Sequence, residues 1–142
     1  HLRSFGKFFG MAGLRLGFAI GDAHVIARLG ARIGPWPVNN AALQISRQAF
    51  EDTAWADHHR NWLATGADRL AALLSANGFC LAGGTILFQT LRHATACDLH
   101  QHLAQHAIWT RVYDEYPDLL RLGIPGDEAT WHKLEMALAA RR

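Results

Sequence analysis

Lys7 stands in the run Ser-Phe-Gly-Lys-Phe-Phe-Gly (residues 4–10), among three phenylalanines and two glycines, and Arg15 follows eight residues later. An amine becomes a nucleophile when desolvation or a neighbouring cation favours its neutral form. Phe5, Phe8 and Phe9 offer an apolar surround for Lys7, and Arg15 offers the cation. Ser4 and Arg15 add a hydroxyl and a guanidinium, two donors suited to a phosphate. A lysine that can form a Schiff base, set beside a phosphate site, is the minimum for a pyridoxal-phosphate centre. The bland alternative is a half-buried lysine whose stem covers aromatic surface.

Two other phosphate-binding readings of the same run fail on spacing. A nucleotide-binding loop requires Ser or Thr directly after the lysine and an earlier glycine, but Phe8 follows Lys7. Glycines 10, 13 and 17 do not have the dinucleotide-binding spacing. Among the nine histidines, His102 and His106 share a helix face, but Leu103 replaces the glutamate of a zinc-protease helix and no third ligand is in view. We expect no metal. Cys80 and Cys97 match no metal spacing and read as free thiols. The tryptophans at 36, 55, 62, 109 and 131 read as packing residues.

The elements that must position Lys7 are readable around it. Residues 1–5 read as a short extended segment, and the apolar run 14–20 as a buried strand. Asp22 then caps a helix over about 23–33. The run Gly-Pro-Trp-Pro-Val (34–38) breaks the chain, since two prolines cannot continue a helix. Asn39 or Asn40 caps a second helix that ends near Phe50. A long helical pattern follows over about 52–76, closed by Asn77-Gly78. Beyond it the rhythm shifts to strands near 79–81, 85–91, 109–113 and 119–123 and helices near 96–106 and 127–140, with Asp98 and Asp127 at the helix starts.

With 142 residues, half of them hydrophobic, the composition is globular. A net charge of +2 with acids and bases interspersed gives no stripe for nucleic acid. No apolar run is long enough to span a membrane and no signal peptide is evident, so a cytoplasmic location is expected. The chain begins at His1 and reaches Lys7 with no preceding element to pack on, which reads as a piece of a longer protein.

The run Ser-Phe-Gly-Lys-Phe-Phe-Gly-Met-Ala-Gly-Leu-Arg-Leu-Gly-Phe-Ala-Ile-Gly (4–21) resembles the lysine segment of the fold-type I, aspartate-aminotransferase-like enzymes. It has their Ser-x-x-Lys, a Gly-Leu-Ala-Gly-like turn in which Met11 replaces leucine, and Arg-x-Gly leading into a strand. The resemblance covers nearly the whole chain and implies an α/β fold, the C-terminal part of a fold-type I pyridoxal-phosphate-dependent transferase. On that basis residues 1–51 end the large cofactor-binding domain, 52–78 form the connecting helix, and 79–142 form the small C-terminal α/β domain. The cofactor implied is pyridoxal 5'-phosphate, with Lys7 bonding its aldehyde and Ser4 and Arg15 contacting its phosphate.

The runs Leu2–Phe18 and Arg111–Leu134 are similar to the branch of that family that decarboxylates threonine phosphate in cobalamin biosynthesis, close relatives of the histidinol-phosphate aminotransferases. The substrate implied is a small amino-acid phosphate. Arg121 matches the arginine that takes the substrate carboxylate, Arg111 is placed at the substrate phosphate, and Asn39 near the substrate mouth. Without the motif, Arg121 would read as a surface arginine of an edge strand. The family's first half, which holds the pyridine ring, is missing here. The partners implied are therefore that N-terminal half and, in the full-length protein, a second copy of the enzyme in a homodimer. Alone, this chain is expected to have little or no activity, and a catalytically inactive fragment is the alternative. A further alternative is aminotransfer from histidinol phosphate or a related amine.

Overall fold

A computed structural model describes residues 1–141. The chain divides into two compact units, His1–Asp57 and His58–Arg142.

In the first unit, β1 (Leu2–Ser4) and β2 (Gly17–Ala19) pair antiparallel with Leu2 opposite Ala19 and Ser4 opposite Gly17. The twelve residues between them fold back as one loop, which closes through a single 3-10 turn at Ala12–Leu14. The strand expected over 14–20 is therefore shorter than its apolar pattern. Arg15 adopts the left-handed conformation (φ 53°, ψ 40°), which no strand can contain. Nor is β2 buried: Gly17 is exposed, Phe18 and Ala19 are half-buried, and the flanking Ile20 is 59% exposed.

Helix α1 (Ala23–Ile33) starts where Asp22 accepts from the amides of His24 and Val25, and ends at Gly34. Helix α2 (Asn40–Glu51) is capped by Asn39. The core of this unit is Phe5, Leu16 and Ala42, packed round by Phe9, Met11, Leu14, Phe18, Val38 and Ala49. Helix α3 (Thr53–Ala76) runs across the division and ends as Asn77 and Gly78 (φ 80°) turn the chain.

The second unit carries a four-stranded antiparallel sheet in the order β3-β4-β6-β5, made of Cys80–Thr85, Phe88–Arg92, Tyr116–Gly123 and Arg111–Tyr113 respectively. Helices α4 (Ala96–Gln105) and α5 (Glu128–Ala139) complete it. The alternation along β4 and β6 sends Leu91, Leu120 and Leu122 into a core shared with Leu70, Leu74, Leu99, Leu103, Trp131 and Leu134. Residues 88, 90, 119, 121 and 123 alternate with those leucines and take the other face. Arg69 ties α3 to α5, bonding Glu128 at 2.6 Å and Glu135 at 3.2 Å while its guanidinium lies 4.3 Å over the Trp131 ring.

Trp131 fits the packing reading of the tryptophans, but Trp36 and Trp109 do not, being 93% and 83% exposed. Trp36 sits between two prolines with φ 57°. Cys80 and Cys97 are free and exposed.

Candidate active site

Six residues were expected to do chemistry. The structure groups three of them in the first unit and two in the second. The sixth, Asn39, carries a backbone duty.

The β1–β2 loop presents Lys7 while its phenylalanine neighbours are held in a ring cluster. Phe5 is the anchor: it is 1% exposed, its amide bonds Leu16 and its carbonyl accepts from the Met11 amide at 2.8 Å. Its ring stacks on Phe9 at 4.5 Å and meets Phe50 edge-on at 5.0 Å. Phe9 in turn stacks on Trp55 at 5.8 Å, and Phe8 meets Trp55 edge-on at 5.9 Å. The phenylalanines were expected to wrap Lys7. Instead they stack on one another and on α2 and α3 residues, and the lysine is exposed. The turn closes when the Gly10 amide bonds the Lys7 carbonyl at 3.0 Å, with Gly10 at φ 67°, a conformation glycine adopts without strain.

Ser4, Lys7 and Arg15 then line one open cavity of about 350 Å³, together with Gly6, Met11, Ala12, Leu16 and Gly17. Local structure places Ser4 and Arg15. Ser4 is the last residue of β1, opposite Gly17, where a Cβ would stand 3.1 Å from the Arg3 carbonyl. Arg15 is aimed by its left-handed backbone and by a bond from its Nη1 to the Ala12 carbonyl at 3.1 Å. Such a conformation costs a non-glycine residue on the order of 1 kcal/mol and persists where the surroundings impose it. The lining holds one amine, one hydroxyl and one guanidinium, and no carboxylate. That donor set fits a phosphorylated aldehyde: the two neutral-or-cationic donors suit its phosphate, and the amine is free to meet its carbonyl.

Asn39 accepts from the Ala42 amide through its side-chain oxygen at 2.7 Å, so its carbonyl is committed to capping α2.

In the second unit Arg111 and Arg121 are direct cross-strand partners between β5 and β6. Both side chains take the face away from the leucine core. Like charges directly opposite destabilise a sheet pair unless something anionic lies between or above them. Among the described residues neither arginine forms an ion pair. Each lies over an aromatic ring, Arg121 at 4.9 Å from the centre of Phe88 and Arg111 at 5.3 Å from Tyr113. These two rings were missed in the sequence, although the diagonal relation of Phe88 to Arg121 follows once strand register is known.

His102 and His106 do meet on one face of α4, with ring centres 4.7 Å apart. Each donates a ring N–H to a backbone carbonyl, His102 to Ala137 at 2.7 Å and His106 to His102 at 2.9 Å. The described residues hold no group of three or more metal-ligating side chains. No described helix is long and apolar enough to cross a membrane.

The chain matches the family model "Aminotransferase class I and II" over residues 1–138. It is 43% identical to a threonine-phosphate decarboxylase of Pseudomonas aeruginosa, over 96% of this chain and 41% of that protein. A threonine-phosphate decarboxylase of Sinorhizobium is 40% identical over 96% of this chain and 40% of its own length. A histidinol-phosphate aminotransferase of Nitrobacter hamburgensis is 31% identical over 89% of this chain. Among solved structures, an aminotransferase-type protein of Burkholderia pseudomallei superposes with a TM-score of 0.85 at 25% identity, over 99% of this chain and 44% of that one. The chain thus spans about two fifths of the length of the curated relatives it matches.

Proposed function

The chain belongs to the class I and II aminotransferase family, and from that membership we propose that it is the C-terminal part of a pyridoxal-phosphate enzyme that removes the carboxylate of threonine phosphate as carbon dioxide. The observation that carries the reading is the meeting of Ser4, Lys7 and Arg15 on one carboxylate-free cavity wall, in a chain 43% identical to a threonine-phosphate decarboxylase. Residues 1–51 are then the end of the cofactor-binding domain, 52–78 the connecting helix and 79–142 the small domain. The missing N-terminal part of the same enzyme and a second copy in a homodimer complete it, in the cytoplasm.

When bound, pyridoxal phosphate supplies the electron sink that takes the pair left by bond cleavage. The residues of this chain do the rest. Ser4 Oγ and the Arg15 guanidinium would hold the cofactor phosphate, and Lys7 Nζ would hold its aldehyde end. Arg121 receives the substrate carboxylate through paired N–H donors, which fixes its direction as well as its place. Arg111, opposite Arg121 in register, takes the substrate phosphate, so the two anionic groups of one substrate relieve the repulsion of the arginine pair. Asn39 Nδ2, left over from the cap, faces the substrate mouth. As carbon dioxide leaves, the bond between the α carbon and the carboxylate breaks, and Lys7 Nζ returns a proton to that α carbon.

Aminotransfer from histidinol phosphate is the second reading, favoured by the 31% relative of that name. It uses the same lysine to remove a proton in place of returning one. The longest native chain that contains residues 1–142 should be incubated with the cofactor and threonine phosphate. Carbon dioxide evolved stoichiometrically, and lost in Lys7→Ala, is the expected result. Amino transfer from histidinol phosphate to 2-oxoglutarate without carbon dioxide would replace the first reading by the second. A visible absorbance band that borohydride traps on a residue other than Lys7 would remove Lys7 from its role.

A further inference from the structure

Resting on the reading that Arg121 receives the substrate carboxylate, we propose that Phe88 is a positioning residue: its ring is the platform that holds the Arg121 guanidinium in the direction a carboxylate must meet.

Phe88 of β4 lies opposite Gly123 of β6, and Arg121 lies opposite Thr90. Phe88 and Arg121 are therefore diagonal neighbours on the sheet face turned away from the leucine core, within reach for a ring and a long side chain. Gly123 is what leaves the ring available. It has no side chain to cover its cross-strand partner, and a Cβ built there would meet open space. The Arg121 guanidinium reaches the uncovered ring from the diagonal position, 4.9 Å from its centre.

The placement is needed because nothing else among the described residues holds Arg121. It forms no ion pair there, and its direct partner across β5 is a second arginine that repels it. A free arginine side chain samples many rotamers, and ordering it costs affinity at the moment of binding. The electron-rich face of a ring attracts the cation and stacks on its plane while leaving the N–H edges free to donate. A carboxylate partner would also order the guanidinium, but it would occupy those edges. Arg111 shows the same solution on the neighbouring strand, 5.3 Å from the Tyr113 ring. The two cations are thereby drawn onto separate rings.

The test uses the full-length holoenzyme with threonine phosphate, reading KM, kcat and melting temperature for Arg121→Gln, Phe88→Leu, Phe88→Tyr and Gly123→Val. Phe88→Leu should raise KM roughly 3- to 30-fold, the range that a cation–π contact spans, with kcat changed by less than about twofold. Phe88→Tyr keeps a ring and should restore KM. Gly123→Val leaves Phe88 in place but covers its ring, so it should raise KM in the same way even if Phe88→Leu fails to fold. A purely packing role would lower the melting temperature without the split between KM and kcat. Phe88→Leu and Gly123→Val with wild-type KM, beside Arg121→Gln with a raised one, would overturn the proposal alone. Arg121→Gln with an unchanged KM would overturn the carboxylate reading and this proposal with it.

Discussion

Arg15 is the residue at which function and backbone pull in different directions. Its left-handed conformation suits glycine, yet only an arginine places a guanidinium beside Ser4 and Lys7. Arg15→Gly should therefore leave the stability of the cofactor-free, full-length protein within about 1 kcal/mol of wild type, because strain is relieved while unfolded-state entropy rises. The same change should weaken cofactor binding by roughly 10- to 100-fold, the value of hydrogen bonds to a charged group. Thermal melts with and without pyridoxal phosphate check both halves. A variant that loses stability but binds cofactor normally would remove Arg15 from the site. The motif around Lys7 made its residue types and spacing readable in the sequence. What the motif hid was direction. Adjacency in sequence placed Phe5, Phe8 and Phe9 beside the lysine, but the rings gain more by stacking on Phe50 and Trp55 than by covering one amine.

Most helix ends were readable because their caps are local chemistry. Asp22, Asn39 and Asp127 each accept amide protons of the first turn that have no partner within the helix. Asn39→Ala should cost about 1 kcal/mol of stability while Asn39→Asp holds it, measured by denaturant unfolding. If both variants bind substrate as wild type does, Asn39 is a cap and nothing more. At Asp127 the Thr130 amide, bonded at 2.7 Å, holds the carboxyl below its ordinary value of 3.8. A pKa lowered on folding stabilises the folded state above the unfolded value, and that contribution is lost as pH falls through the folded one. The melting temperature of Asp127→Ala should lie a few degrees below wild type at neutral pH. The gap should narrow as pH drops past 3.8; a gap independent of pH would assign the effect to packing.

Helix α3 contains a glycine that its propensity argues against. A Cβ on Gly66 would lie 2.6 Å from Cγ2 of Ile124, a methyl on a β-branched carbon whose χ1 is stiff. Gly66→Ala should thus destabilise by roughly 1–3 kcal/mol, although alanine favours helix, and the double variant with Ile124→Ala should recover part of it. Strand ends were less readable than helix ends for a related reason. Residues 14–16 carry a strand pattern yet sit in a turn, because the pattern records polarity and says nothing of the left-handed bond at Arg15. Strand β6 begins at Tyr116, earlier than its apolar stretch, because Tyr113 pairs with Tyr116 across a two-residue turn. Such pairing is decided by the partner strand.

At the scale of the molecule the question is what α1 is for. Its 11 residues include none that is buried, yet Val25, Leu29 and Ile33 recur every fourth position along one face, and they are 57%, 38% and 55% exposed. An isolated helix of that length is marginal in water, and an apolar stripe of this kind marks a face that another element covers. The relatives are about two and a half times as long as this chain, and the part of such a protein that this chain does not span is what we expect on that face. The consequence separates two measurements. A substitution at a site exposed to solvent shifts stability by about 0.5 kcal/mol at most, whereas a charge forced into a packed face costs several-fold more. Ile33→Glu in the full-length protein should fall in the second class, at about 2–4 kcal/mol by denaturant unfolding, despite the exposure of Ile33 here. The 142-residue chain by itself should associate through the same stripe and evolve no carbon dioxide from threonine phosphate. Lys7 would still be on its cavity wall, but the residues that keep the pyridine ring an effective electron sink would be absent. A near-neutral Ile33→Glu in the full-length protein would show that α1 faces solvent there too, and the first part of the enzyme would then have to meet this chain through another surface.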